Sequence, residues 1–300
     1  MKIVLIDDKI KIENNSECVL CLGMFDGVHS GHRELIKEAV NKAKELGIPS
    51  AVMTFLSSFE ENKIYPFEER CSLFEKLGID ILYVVSFTQK FKDLSCEEFI
   101  NKYLIEYTKA SYIVCGFNFR FGKNREGDTK TLQEALGHIC GITVVPEVIM
   151  DGETVSSTLI KSYLKEGNIA KVNSLLNDIY SVSGIVIKGN EVGRTINFPT
   201  ANIAVPSCLV PLKSGVYSTK VSVDGKFYKS ISNIGNAPTV RNDDAIILET
   251  HILDYNGDLY NKYIKVFFLD FIREERKFKN IDELKAAIKL NIEARENSSI

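Results

Sequence analysis

The chain is predicted to fold as an α/β domain on a parallel sheet, followed by an all-β domain, an antiparallel β-barrel with a terminal helix. Three observations predict this. Up to about residue 180, short apolar runs alternate with helical periodicity, as in strand–helix–strand units. Beyond it, strand-length runs follow one another with Gly-containing turns between them, the pattern of an antiparallel barrel. The 300 residues, 45% of them hydrophobic, suffice for two cores, placed at 1–180 and 181–300.

Each element has its own signal. The continuous apolar run 18–22 reads as a buried parallel strand, and Leu35, Ile36, Ala39, Val40, Ala43 and Leu46 then recur at helical spacing. Gly47 is placed for a left-handed cap and Pro49 stops the helix before a strand at 51–55. Further strands are expected at 81–87 and 112–116, and helices at 96–107, 131–139 and 168–176. In the second domain, strands are expected at 180–187, 215–223, 227–234, 247–254 and 263–272, with Asp224-Gly225 and Asn256-Gly257 as hairpin turns. The last helix starts after Asn280, its expected cap, with Glu283 completing a capping box.

Composition narrows the class of protein. The sequence has no apolar run long enough to span a membrane, and the N-terminus meets Asp7-Asp8 too early for a signal peptide, so a cytoplasmic protein is expected. Seven cysteines, mostly at apolar positions, argue against a disulfide framework, and Cys18-Val-Leu-Cys21 is expected to be strand packing. A net charge of -3 gives no global attraction to nucleic acid, and self-association is left open.

The densest chemistry lies at residues 23–32, Gly-Met-Phe-Asp-Gly-Val-His-Ser-Gly-His, where a strand turns into a helix. Glycines allow a tight turn and close ligand approach, and the helix N-terminus offers unpaired N–H groups to an anion. His29 and His32 then point at one phosphate, although a plain turn with an incidental His pair has the same residues. The patterns G-x-G-x-x-G and G-x-x-x-x-G-K-[ST] are both absent, and the isolated His138 and His251 leave no zinc cluster. Residues 115–128 combine Asn118, Phe119 and Phe121 with Gly and basic residues, either to stack a flat ring or to anchor a loop by its phenylalanines. Ser157 and Thr158, with Lys161 a turn later, suit helix capping and phosphate binding equally. Thr200 and Asn202 put two neutral oxygens on one side of an extended chain, as Mg²⁺ with substrate phosphates requires, or simply mark a turn. Glu249, on a strand face with Ile247, His251 and Leu253, needs a structural hydrogen-bond partner or serves as a general base.

Phe25 to His32 resembles the H-x-G-H signature of the nucleotidyltransferase superfamily. Together with residues 115–128, 156–161, 193–202, 232–239, 249–251 and 273–278, in that order, it resembles the bacterial bifunctional riboflavin kinase/FMN adenylyltransferase family over essentially the whole chain. The resemblance implies a Rossmann-like nucleotidyltransferase domain followed by a riboflavin kinase barrel. It implies ATP as co-substrate, Mg²⁺, and riboflavin, FMN and FAD as substrates or products. By motif match, His29 and His32 would stabilise the transferring α-phosphate. Gly23, Phe25, Asp26, Gly31, Ser157, Thr158 and Lys161 would bind ATP, and Asn118, Phe119 and Phe121 would face the flavin. In the barrel, Lys188, Gly193 and Arg194 would bind nucleotide, Thr200 and Asn202 metal, and Arg273 flavin, while Glu249 would be the base.

The sequence departs from the family pattern at Leu159 and Lys161, where Arg is usual, at 56–59, and at Asn197 and Ala237. Lys keeps the charge of Arg but loses its bidentate geometry. Two alternatives follow: a kinase with a weak or non-catalytic binding domain at its N-terminus, or a non-enzymatic flavin-binding regulator.

Overall fold

The computed structural model describes residues 1–7, 16–57, 61–189, 196, 198–236 and 246–296. Gly193, Arg194, Asn197, Ala237 and part of the 56–59 segment lie outside the described residues. The chain forms two compact units, Met1–Ser157 and Thr158–Ile300.

The first unit is a six-stranded sheet in the order β1-β4-β3-β2-β5-β6. Its strands are β1 (Lys2–Ile6), β2 (Cys18–Leu22), β3 (Ser50–Leu56), β4 (Ile81–Ser86), β5 (Ala110–Gly116) and β6 (Gly141–Val145), and all pairings are parallel. Every residue of β2 is buried, as its unbroken apolar run requires. From β2 the chain builds β3 and β4 on one side, then crosses to β5 and β6 on the other. The carboxyl ends of β2 and β5 therefore flank the switch in strand order, where open α/β sheets bind ligands. Helix α1 (Ser30–Leu46) follows β2, buries Leu35, Ile36, Ala39 and Ala43, and ends at Gly47 in the left-handed conformation, φ 68°.

Helices α2 (Phe67–Lys76) and α3 (Thr129–Leu136) also belong to this unit. The helix expected at 96–107 takes another form: a single turn capped by a Ser95–Glu98 capping box runs into a π-helix, Phe99–Tyr107. Tyr103 stacks on Phe99 at 5.8 Å and meets Tyr107 edge-on at 5.4 Å, a ring column that apolar spacing does not reveal. Strand β1 was not anticipated; it is an edge strand with Ile3 and Leu5 exposed and only Ile6 buried. A short hairpin, β7 (Ile149–Met150) and β8 (Glu153–Thr154), ends the unit.

The second unit takes in α4 (Ser157–Glu166), apart from its first residue, and α5 (Ile169–Leu176). Asn173 of α5 donates to the Phe268 carbonyl at 2.9 Å and accepts from the Tyr180 N–H at 2.8 Å. The strands β9 (Ser181–Ile187), β10 (Ala201–Ala204), β11 (Gly215–Val223), β12 (Lys226–Asn236), β13 (Ile246–Ile252) and β14 (Tyr263–Arg273) close a barrel in the order β10-β13-β12-β11-β14-β9. Asp224-Gly225 is the expected tight turn, with φ of 48° and 79° joining β11 to β12. Asn256-Gly257 is not a hairpin turn: β13 pairs with β10 and β12, whereas β14 pairs with β11 and β9. Residues 253–262 thus cross between strands that never meet.

Inside the barrel, Thr219 bonds to Ser230 at 2.8 Å and Ser232 at 2.9 Å, and Ser232 bonds to Thr250 at 2.9 Å, all four buried. Helix α6 (Ile281–Glu296) packs on the outer face of β11 and β12. Its cap is Asn280, which accepts from the Glu283 N–H at 2.9 Å; the Glu283 carboxylate accepts in return from the Lys279 N–H at 3.1 Å, one residue earlier than a capping box.

Candidate functional site

In the first unit, the turn from β2 into α1 is held from several sides. Phe25 and Val28 both have positive φ, 50° and 46°, which a β-branched or bulky residue rarely adopts. The Met24 carbonyl accepts from Thr54 Oγ1 at 2.9 Å and from the Arg70 guanidinium at 3.5 Å, and the Val28 carbonyl accepts from Arg33 Nε at 3.2 Å. Asp26 accepts from the Ile64 N–H at 2.9 Å, so its carboxylate pins the neighbouring loop. Glycine is needed at Gly23 and Gly27, where a Cβ would lie 2.9 Å from the Phe25 ring and 2.6 Å from Ile64 Cδ1.

This turn delivers His29 and His32 as a parallel stack, ring centroids 3.6 Å apart. His29 caps α1, its Nδ1 accepting from the His32 N–H at 3.3 Å. That bond assigns the proton of a neutral His29 ring to Nε2, leaving an N–H donor for a ligand. Burial pushes the His29 imidazole down to about 4, and burial plus the adjacent His29 holds His32 well below its usual range. His32 Nδ1 is buried with no hydrogen-bond partner among the described residues. A ligand accepting from or donating to this pair would satisfy it. Gly31 leaves the approach to the His29 ring open, since a Cβ there would sit 3.3 Å from it.

The loop after β5 is clamped by paired bonds between Phe121 and Gly127 and by an Arg120–Asp128 ion pair at 3.1 Å. Asp128 also caps α3. Phe121 is buried against Phe99, ring centroids 5.2 Å apart, and so anchors the loop. Phe119 stacks beside it at 5.7 Å and is half-buried, while Asn118 is exposed. Ser157 and Thr158 occupy the first turn of α4, with Lys161 one turn on.

The second unit holds a cleft of about 590 Å³ on the outer face of the barrel, between its strands and α6. Glu249 of β13 faces Asn202 of β10 on one side and Asn233 of β12 on the other, in direct register. Directly paired residues share a sheet face, so the three form a row across three strands. Glu249 is exposed as a residue, but partial desolvation of its carboxyl against the cleft wall, reinforced by the charge of Glu275, raises that carboxyl above its usual range. Thr200 lines the cleft, and Asn202 is buried against Gly189, where a Cβ would lie 2.4 Å from its Nδ2. Lys188 is exposed at the end of β9, next to that glycine. Arg273 also lines the cleft, its Nε donating to Asn291 Oδ1 at 3.2 Å and its ring neighbour being Phe278. Among the described residues no group of three or more His, Cys, Asp or Glu could hold a metal ion, so a metal here would need substrate oxygens beside the neutral Thr200 and Asn202.

Two contributors escaped prediction. His251 Nδ1 bonds to the Pro199 carbonyl at 2.8 Å, fixing the approach to Thr200, and Asn233 completes the row beside Glu249. Both lie in segments that the motif match covers, but only the strand register gives them a position. The expected cysteine packing is present: Cys18 and Cys21 are buried, and burial pushes the Cys18 thiol up to about 12.

Comparison with known proteins matches the two units separately. Residues 11–159 match the family model described as FAD synthetase, and residues 176–299 the one described as riboflavin kinase. The chain is 37% identical to a bifunctional riboflavin kinase/FMN adenylyltransferase of Bacillus subtilis, over 91% of this chain and 89% of that one. It is 36% identical to the protein of the same description from Listeria monocytogenes, over 90% and 88%. A crystal structure described as a macrolide-efflux protein from Streptococcus pneumoniae superposes with a TM-score of 0.90 at 30% identity, covering 100% of both chains. Among the described residues of this chain, no helix is long and apolar enough to cross a membrane.

Proposed function

The chain belongs to the bifunctional riboflavin kinase/FMN adenylyltransferase family, and on that premise we propose how its residues divide the two reactions. Residues 181–300 phosphorylate the ribityl 5′-hydroxyl of riboflavin with ATP, and residues 1–180 transfer the adenylyl group of a second ATP to FMN, giving FAD and pyrophosphate. The observation that carries the kinase half is the row Asn202–Glu249–Asn233, of which Glu249 and Asn233 line the cleft.

In the kinase reaction, Glu249 accepts the hydroxyl proton as the oxygen attacks the γ-phosphorus and ADP leaves. Its raised proton affinity makes it a stronger base than an ordinary carboxylate. Thr200 and Asn202 would hold Mg²⁺ together with the nucleotide phosphates; their neutral oxygens suit that ion, and Gly189 leaves room over Asn202. When bound, the ion neutralises phosphate charge, while Lys188, Gly193 and Arg194 meet the nucleotide and Arg273 the flavin.

In the adenylyl transfer, an FMN phosphate oxygen attacks the α-phosphorus and pyrophosphate leaves. His29, through Nε2–H, and His32 donate to the oxygens where charge accumulates, with no proton to move first because both rings are neutral. The turn at Gly23, Phe25, Asp26 and Gly31 shapes this site. Ser157, Thr158 and Lys161 grip the remaining phosphates. Asn118 and Phe119 face the flavin, and Phe121 holds their loop. The seven free cysteines support a reducing, cytoplasmic setting.

Paired variants test the division. Glu249→Gln is expected to abolish FMN formation and to leave FMN-to-FAD conversion intact. His29→Ala with His32→Ala is expected to lower FAD formation by roughly 10²-fold or more, as for loss of an oxyanion donor, with FMN formation unchanged. Loss of both activities in either folded variant would contradict separate sites.

A further inference from the structure

We infer that Asn291 of α6 is a positioning residue for flavin binding at the kinase site, holding the Arg273 guanidinium in orientation without cancelling its charge. Arg273 enters as the flavin-facing cation of the cleft, and the inference rests on that reading.

The arrangement starts from the helix. Leu284, Ile288, Asn291 and Arg295 recur at intervals of four, three and four residues, so they share one helix face. The first three line the cleft, while Arg295 is buried and its Nε donates to the Thr219 carbonyl at 2.9 Å. The barrel thus grips α6 one turn beyond Asn291, which is itself only 5% exposed. A polar side chain buried to that degree needs a partner. Its partner is Arg273, whose Nε donates to Asn291 Oδ1 at 3.2 Å. Because arginine only donates, that bond also fixes which way the Asn291 amide faces.

Arg273 ends β14 and lines the same cleft. Its Nη1 donates to the Glu274 carbonyl at 3.0 Å, and its guanidinium lies over the Phe278 ring, 5.7 Å from the centroid. Among the described residues Nη2 makes no hydrogen bond. The carboxylates that follow it in sequence are engaged elsewhere: Glu274 pairs with Lys213 at 2.9 Å, and Glu275 accepts from Asn233 at 3.0 Å. Both oxygens that hold Arg273 are therefore neutral, and among the described residues no ion pair reaches it.

An oriented guanidinium with its charge intact suits the acceptor edge of a flat ring, because its N–H groups lie in one plane and can meet carbonyl oxygens and ring nitrogens together. The isoalloxazine of riboflavin has such an edge. Without Asn291 the guanidinium keeps its charge but loses the contact that sets its plane. The loss falls on riboflavin binding, not on phosphoryl transfer.

The experiment is a double-mutant cycle on riboflavin phosphorylation by the full chain with Mg-ATP. Asn291→Leu and Asn291→Ala each remove the acceptor, the second without branched bulk against the barrel, and Arg273→Met removes the guanidinium. In both Asn291 variants the KM for riboflavin is expected to rise roughly 2- to 12-fold, the worth of one hydrogen bond, with saturating kcat and the KM for ATP unchanged. Arg273→Met should raise the riboflavin KM at least as far, and adding Asn291→Ala to it should raise it no further. Effects that multiply in the double variant would show that Asn291 acts through the packing of α6, and would overturn the inference. An Asn291 effect confined to kcat or to the ATP KM overturns it as well. An unchanged riboflavin KM in Arg273→Met overturns the flavin reading of Arg273 and the inference with it. A raised KM in Arg273→Met beside an unchanged one in both Asn291 variants overturns the inference alone.

Discussion

Glu249 is an exposed residue whose ionised carboxyl carries a small, solvent-screened cost to the fold. Its carboxyl is raised in the native state by partial desolvation and by Glu275, so the folded protein binds that proton more tightly than the unfolded chain does. The contribution is fully present below the unfolded value and is lost as pH rises through the folded one. At neutral pH, Glu249→Gln is therefore expected to raise the melting temperature while abolishing kinase activity, and the gain should vanish near pH 4, where the unfolded carboxylate also protonates. Melts of both proteins across pH check this; a variant less stable than the parent at pH 7 would contradict it. Glu249, His29 and His32 stand out in the sequence as candidates by residue type and pattern. Their protonation states do not, because desolvation depends on the walls that the rest of the chain builds. The same limit hid Asn233, whose place beside Glu249 lies in the strand register.

At the level of elements, local signals were read well and partners were not. The buried strand Cys18–Leu22, the left-handed Gly47 and the Asp224-Gly225 turn follow from residues adjacent in sequence. Asn256-Gly257 has the same local signature, yet β13 finds its partners elsewhere in the barrel, so no hairpin forms. The π-helix Phe99–Tyr107 carries a column of rings at Phe99, Tyr103 and Tyr107, and apolar periodicity does not separate it from an α-helix. The buried hydroxyls were missed for a related reason. Thr250 sits between Glu249 and His251, so alternation turns it inward to Ser232, and Ser232 reaches Thr219. This chain joins the strands that carry Glu249 and Asn233. Thr250→Val keeps the shape and leaves Ser232 with one partner fewer. It is expected to cost about 1–3 kcal/mol, read from denaturant unfolding of the C-terminal transition. Kinase activity should fall and adenylyl transfer should hold; an unchanged midpoint would show that the hydroxyls contribute no net stability.

The whole molecule joins two units with different grammars, a parallel sheet with its proposed site at the strand ends and a closed barrel with its proposed site in the cleft on the outer face. Each unit matches its own family model. The Asn202–Glu249–Asn233 row draws only on barrel strands, and the His29–His32 stack only on the turn after β2. Neither set needs a residue of the other, so a chain damaged at one site should retain the other. FMN carries a phosphate that the first reaction adds and that the second joins to the adenylyl group, so it is the product of one proposed reaction and the substrate of the other. Glu249→Gln alone should make no FAD from riboflavin, and the His29→Ala/His32→Ala chain should stop at FMN. Mixed in one vessel with riboflavin and Mg-ATP, the two variants are expected to make FAD after a lag that shortens as the His-variant concentration, and with it the FMN supply, is raised. Chromatography of flavins over time reads this directly. FAD from the parent but none from the mixture, although FMN accumulates and the Glu249→Gln chain converts added FMN, would mean that FMN formed at one site does not reach the other through solution.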